Sequence, residues 1–71
     1  MEKVLTDNGF DFIEKCFCEG RRQEHYINGD YKITYYIVSK SFMLMKNNRK
    51  VIRRERNENE LINTLKEFKI I

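Results

Sequence analysis

The sequence predicts an α+β fold: a single small antiparallel β-meander of four to five strands, a C-terminal helix packed on one face, and a short N-terminal helix or turn. Three observations carry that expectation. Asn28-Gly29 lies between two strand-length runs and is the strongest short hairpin signal in the chain. The run from Tyr31 to Val38 is rich in β-branched and aromatic residues and has period-two character. After Asn57, the residues Leu61, Ile62, Leu65 and Phe68 recur at helical spacing.

Taken in order, a short opening helix ends at Gly9, which follows Asp7-Asn8 and supplies a left-handed residue. Residues 10–18 carry two patterns. Phe10 and Phe12 alternate as in a strand, whereas Phe12, Ile13, Cys16 and Phe17 also share one face of a helix; the strand is the preferred reading. The segment from Arg22 to Ile27 is polar and pairs with the Tyr31 strand from a solvated or edge position. Ser41 to Lys46 and Arg49 to Arg54 flank Asn47-Asn48, a second two-residue turn, because Asn tolerates positive φ. Asn57 is an N-cap with Glu60 three residues later, and Glu58 and Glu60 suit the positive end of the helix dipole.

Length sets the scale. The 71 residues form one domain, 1–71, with no repeats and no linker. A chain this short buries only about 60% of its unfolded surface, so a deep enzyme-type pocket is not expected, and help from a partner or a second copy is. No run of 18 apolar residues is present and the first residues lack the apolar stretch of a signal peptide, so neither a membrane span nor export is expected. Cys16 and Cys18 are too few for a secreted scaffold and too close for a relaxed bridge. They are read as reduced thiols of a cytoplasmic protein. Asn, Lys and Ile supply 23 of 71 residues, a bias of AT-rich coding DNA. In general character, and by composition only, the chain resembles small accessory proteins of bacteria and their phages.

Charge is unevenly placed. The net charge is +3, but residues 31–56 carry eight basic and one acidic side chain, while residues 1–30 carry four basic and seven acidic. The cationic block attracts phosphate backbones or acidic protein surfaces, or it balances the acidic first third of the same chain.

Pairing around the expected turns assigns the faces. A two-residue Asn47-Asn48 turn pairs Lys46 with Arg49, Met45 with Lys50, Leu44 with Val51 and Met43 with Ile52. A tight Ser39-Lys40 turn pairs Ile37 with Phe42, Tyr36 with Met43 and Tyr35 with Leu44. One face then carries Tyr31, Ile33, Tyr35, Ile37, Phe42, Leu44 and Val51 and seats the C-terminal helix. The other carries Tyr36, Val38, Met43, Met45 and Ile52 among Lys32, Thr34, Lys50 and Arg54. Unless the first thirty residues cover it, this second face is an apolar contact surface rimmed by positive charge.

The chemistry of an enzyme is missing. His25 is the sole histidine, and no nucleophile is placed beside it by the sequence. Glycine-rich phosphate loops are absent and the carboxylates are scattered. Cys16, Cys18 and His25 offer ligand atoms, but Cys-x-Cys with one His matches no standard zinc spacing and lacks a fourth ligand, so no metal and no cofactor are expected.

The resulting functional expectation is a non-enzymatic binding module that takes a protein partner with an acidic surface, or a second copy of itself, through Tyr36, Met43, Met45, Lys50, Ile52 and Arg54. The alternative is nucleic-acid binding through Lys46, Arg49, Lys50, Arg53, Arg54 and Arg56. That alternative rests on charge, since no RNA-binding signature accompanies it.

Overall fold

The chain runs α1 (Glu2–Asp7), β1 (Asp11–Cys18), β2 (Arg21–Asn28), β3 (Tyr31–Tyr36), β4 (Ser41–Lys46), β5 (Lys50–Glu55) and α2 (Glu58–Glu67). The computed structural model describes the backbone of residues 2–47 and 50–71 and the side chains of residues 3–47 and 56–71. The strands form one antiparallel sheet in sequence order, β1-β2-β3-β4-β5. The α+β meander and its two helices are therefore as the sequence predicts, and residues 11–18 are strand.

Both helices stop in the same way. At the end of α1, Phe10 N–H donates to the Leu5 carbonyl at 2.9 Å and Gly9 N–H to the Thr6 carbonyl at 3.2 Å. This is a Schellman motif with Gly9 at the left-handed position, φ +88°. At the end of α2, Ile70 N–H donates to the Leu65 carbonyl at 2.9 Å and Lys69 N–H to the Lys66 carbonyl at 3.0 Å. Here Lys69 holds the left-handed position at φ +58°. The α2 N-terminus is capped as expected, Asn57 accepting from the Glu60 N–H at 2.9 Å. The Glu60 carboxylate turns back to the Arg56 N–H at 3.5 Å.

Turn chemistry sets the strand register. Cys18 opposes Arg21 across Glu19-Gly20, both at positive φ, the pattern of a type I′ turn. Asn28 opposes Tyr31, so Gly29-Asp30 forms the second loop and Asn28 closes it from the last position of the strand. The Arg22 to Ile27 segment is not an edge. It lies inside β2, between β1 and β3. Its polarity has another source: Glu24 accepts from the Tyr26 hydroxyl at 2.7 Å, and Gln23 and His25 lie on the face that no helix covers.

Two expected turns are replaced by longer ones. Tyr36 opposes Ser41 and Tyr35 opposes Phe42, so the β3–β4 loop is the four residues 37–40 in place of a Ser39-Lys40 turn. The register moves by two, which keeps Tyr31, Ile33, Tyr35, Phe42 and Leu44 together on one face but takes Ile37 out of the strand. In the last hairpin Lys46 opposes Lys50, Met45 opposes Val51, Leu44 opposes Arg53 and Met43 opposes Arg54. The predicted pairs of Leu44 with Val51 and Met43 with Ile52 are therefore displaced. The physical reason is a three-residue connection followed by a register shift between Leu44 and Met45, a bulge that leaves Ile52 as the extra residue of β5. Asn48 of the expected Asn47-Asn48 turn, and Arg49, expected to open the last strand opposite Lys46, lie outside the described residues.

The core occupies one side of the sheet. Leu5 from α1, Phe10, Tyr26, Ile33, Phe42 and Leu44 from the sheet side, and Leu61 and Leu65 from α2 are all buried in one cluster. Phe12 meets Tyr26 edge-on at 5.5 Å between ring centroids, and Tyr35 stacks on Phe42 at 4.8 Å. Because α1 joins α2 on this side, the N-terminal segment does not cover the opposite face. It extends the sheet with β1 instead.

Candidate functional site on the open sheet face

The open face is assembled from alternate residues of the paired strands. One row is Cys16, Gln23, Tyr36 and Ser41; the next is Glu14, His25, Thr34 and Met43; a third contains Ile27, Lys32 and Met45. No described helix lies over these rows. Even so, Gln23 and Thr34 are only 5% and 3% exposed. A shallow depression of about 290 Å³ runs across the rows, floored by Gln23, His25, Thr34, Tyr36, Met43 and Met45.

Its apolar half is formed by three of the predicted contact residues. Tyr36, Met43 and Met45 are each half-buried, and the Tyr36 hydroxyl reaches the Met43 sulfur at 3.9 Å. Arg21 stands over the Tyr36 ring, its guanidinium carbon 5.6 Å from the centroid. Beyond Tyr36 the surface continues into a groove of about 390 Å³ between the β1–β2 and β3–β4 loops. Phe17 and Val38, 73% and 82% exposed, line it together with Arg22.

The polar half is a cluster that chain spacing did not reveal. Cys16 and Cys18 are joined by a disulfide, which overturns their reading as separate reduced thiols. Residues two apart in a strand point to the same face, and the Cα atoms of this pair are 5.6 Å apart, within the ~4.4–6.8 Å that a disulfide spans. Cys16 Sγ lies 3.4 Å from His25 Nε2 and 3.9 Å from Gln23 Oε1. His25 Nε2 and Gln23 Oε1 are 2.9 Å apart, and the Gln23 amide donates to the Cys18 carbonyl at 3.1 Å. The His25 Nδ1 atom is buried without a hydrogen-bond partner. Burial lowers the His25 pKa from its ordinary value, Lys32 lowers it further, and Glu14 opposes the shift. The neutral imidazole is the favoured form.

The sequence carried a usable sign of this cluster. Centring a two-residue turn on Glu19-Gly20 places Cys16 opposite Gln23, and the period of two then adds Cys18 and His25 to the same face. Glu19 hides that sign, because glutamate is not a residue type that marks a left-handed turn position, and Gly20 alone does not fix the loop. The facing rows therefore went unread.

The basic residues fall differently. Lys46 is exposed in the Tyr31 row, with its ammonium 5.7 Å from the Tyr31 ring centroid, so it does not join the open face. Arg56 is exposed at the entry to α2. Lys50, Ile52, Arg53 and Arg54 are placed by backbone register only, and their side chains, like Arg49, lie outside the described residues. No described helix is long and apolar enough to cross a membrane. Comparison with protein-family models, curated proteins and solved structures finds no match.

Proposed function

We propose that this protein is a non-enzymatic, cytoplasmic binding module that docks an acidic protein surface on its open sheet face, with Tyr36, Met43 and Met45 at the centre of the contact. The observation that supports this reading is a sheet with a helical layer on one side only, whose other side presents these three half-buried residues. Methionine adapts its shape to irregular partners, and tyrosine offers a large rigid contact with a polar tip. Charge selects the partner. Lys32 and Arg21 border the patch, so an acidic surface is attracted and a basic one repelled.

The test is site-specific photocrosslinking in cells that make the protein, with benzoylphenylalanine in place of Met43 or, as a control on the helical side, Lys66. The expected result is a protein adduct from position 43 alone, whose partner binds the purified chain with salt-sensitive affinity and binds Met45→Glu at least tenfold more weakly. Equal adducts from both positions, a self-adduct of twice the chain mass, or a nuclease-sensitive adduct would each overturn the reading. The last would favour nucleic-acid binding by the basic segment.

A further inference from the structure

We propose that the dithiol form of the protein binds one Zn²⁺ ion on the open face through Cys16 Sγ, Cys18 Sγ, His25 Nε2 and Gln23 Oε1, and that the Cys16–Cys18 disulfide is the closed state of this site. The inference goes beyond the docking surface and does not depend on it.

Geometry is the first support. The ligand atoms of Cys16, Cys18 and His25 all lie within 4.8 Å of one another. With Zn–S near 2.3 Å and Zn–N near 2.0 Å, a tetrahedral site holds sulfur and nitrogen ligands about 3.5 Å apart and two sulfurs about 3.8 Å apart. Cys16 Sγ and His25 Nε2 already stand at 3.4 Å. Once the S–S bond is broken, rotation about the Cα–Cβ bonds moves the two sulfurs apart without displacing β1.

The second support is the fourth donor, absent from any spacing motif. Gln23 is 95% buried, by its 5% exposure, on a face over which no described helix lies. Its amide nitrogen is tied to the Cys18 carbonyl at 3.1 Å, which aims Oε1 at His25 and Cys16. A neutral oxygen donor is thus held in the cluster by the backbone of a residue that supplies another ligand. This is the kind of support that orients metal ligands.

Charge and softness choose the ion. Two thiolates, a neutral imidazole and a neutral amide sum to −2, which a divalent cation cancels on a half-buried surface. Thiolate and imidazole together favour Zn²⁺ over Mg²⁺ or Ca²⁺. Opening the site is a two-electron step: two thiols of a reductant give up two electrons and two protons, the Cys16–Cys18 bond breaks, and the reductant leaves as its own disulfide. Zn²⁺ then displaces the two thiol protons to form two Zn–S bonds. Oxidation by a disulfide-class oxidant runs the sequence in reverse and expels the ion.

The full chain, reduced or left as the disulfide, is titrated with Co²⁺ as a coloured probe and then with Zn²⁺. The expected result is one Co²⁺ per chain in the dithiol form, with a thiolate-to-cobalt charge-transfer band and tetrahedral d–d bands that Zn²⁺ abolishes, and none in the disulfide form. Cys16→Ser or Cys18→Ser removes the two-thiolate spectrum, and His25→Gln or Gln23→Met weakens binding at least tenfold. A second readout needs no variant: Zn²⁺ shifts the ¹⁵N signals of the sole imidazole, His25. Absence of the charge-transfer band in the dithiol form, equal binding by the disulfide form, or imidazole signals unmoved by saturating Zn²⁺ would overturn the proposal.

Discussion

Gly9 and Lys69 occupy the same position of the same helix-ending motif, with φ of +88° and +58°. A side chain in the left-handed region costs about 1–2 kcal/mol relative to glycine, so the two sites should answer substitution with opposite signs. Gly9→Ala is expected to destabilise the domain by about 1 kcal/mol or more through the positive φ alone, since its new Cβ meets the Asn28 amide nitrogen only at van der Waals distance, 3.4 Å. Lys69→Gly should stabilise it by about 0.5–1 kcal/mol, as read from urea midpoints at constant slope. His25 offers a pH test in the metal-free disulfide form. Its pKa is lowered on folding, by burial first and Lys32 second, so below 6.5 the unfolded chain binds the proton more readily than the folded one. The His25 contribution is therefore fully present above pH 6.5 and is lost as pH falls towards the folded value. Wild type should lose more stability than His25→Gln between pH 7.5 and 5.5 in matched urea titrations; equal losses would refute the burial argument. Gly9 was legible because glycine after Asp-Asn has few other uses. Lys69 was not, since nothing in a lysine announces a left-handed backbone.

At the scale of the strand, β4 divides its side chains between two environments. Leu44 is 1% exposed in the core cluster, while its neighbour Met43 is half-buried on the open face. Leu44→Ala should cost about 2–5 kcal/mol through lost burial and the cavity left behind, whereas Met43→Ala should cost about 1 kcal/mol or less. Chemical denaturation of the two variants measures both, and similar large losses would show that the Met43 face is core. The alternation that separates these residues was plain in the sequence, and it survived an error in the β3–β4 register because the error was an even number of residues. The β4–β5 register did not survive. A three-residue connection and a bulge at Ile52 depend on loop geometry and on where the β5 backbone twists, which alternation alone does not encode. The open face was thus legible for Lys32, Thr34, Tyr36, Met43 and Met45, whereas Val38, expected beside them, lies in the β3–β4 loop. The polar half of that face, on β1 and β2, required recognising Glu19-Gly20 as a hairpin loop.

For the molecule as a whole, the division into a packed side and an open side sets what the disulfide contributes. The bridge closes a loop of only three residues, Cys16 to Cys18, so the chain-entropy relation gives it about 1.6 kcal/mol. The buried cluster on the other side of the sheet, drawn from both helices and from β2, β3 and β4, makes no use of either sulfur. Reduction should therefore lower the melting temperature by on the order of 10 °C while leaving one cooperative transition and an unchanged far-ultraviolet circular dichroism spectrum. Thermal melts with and without a thiol-free reductant measure this directly. A loss of cooperativity on reduction would mean that the bridge holds β1 on the sheet, and the open face would then be a property of the oxidised protein alone. A retained transition leaves the Cys16, Cys18, Gln23 and His25 cluster free to change its chemistry on a fold that stays in place.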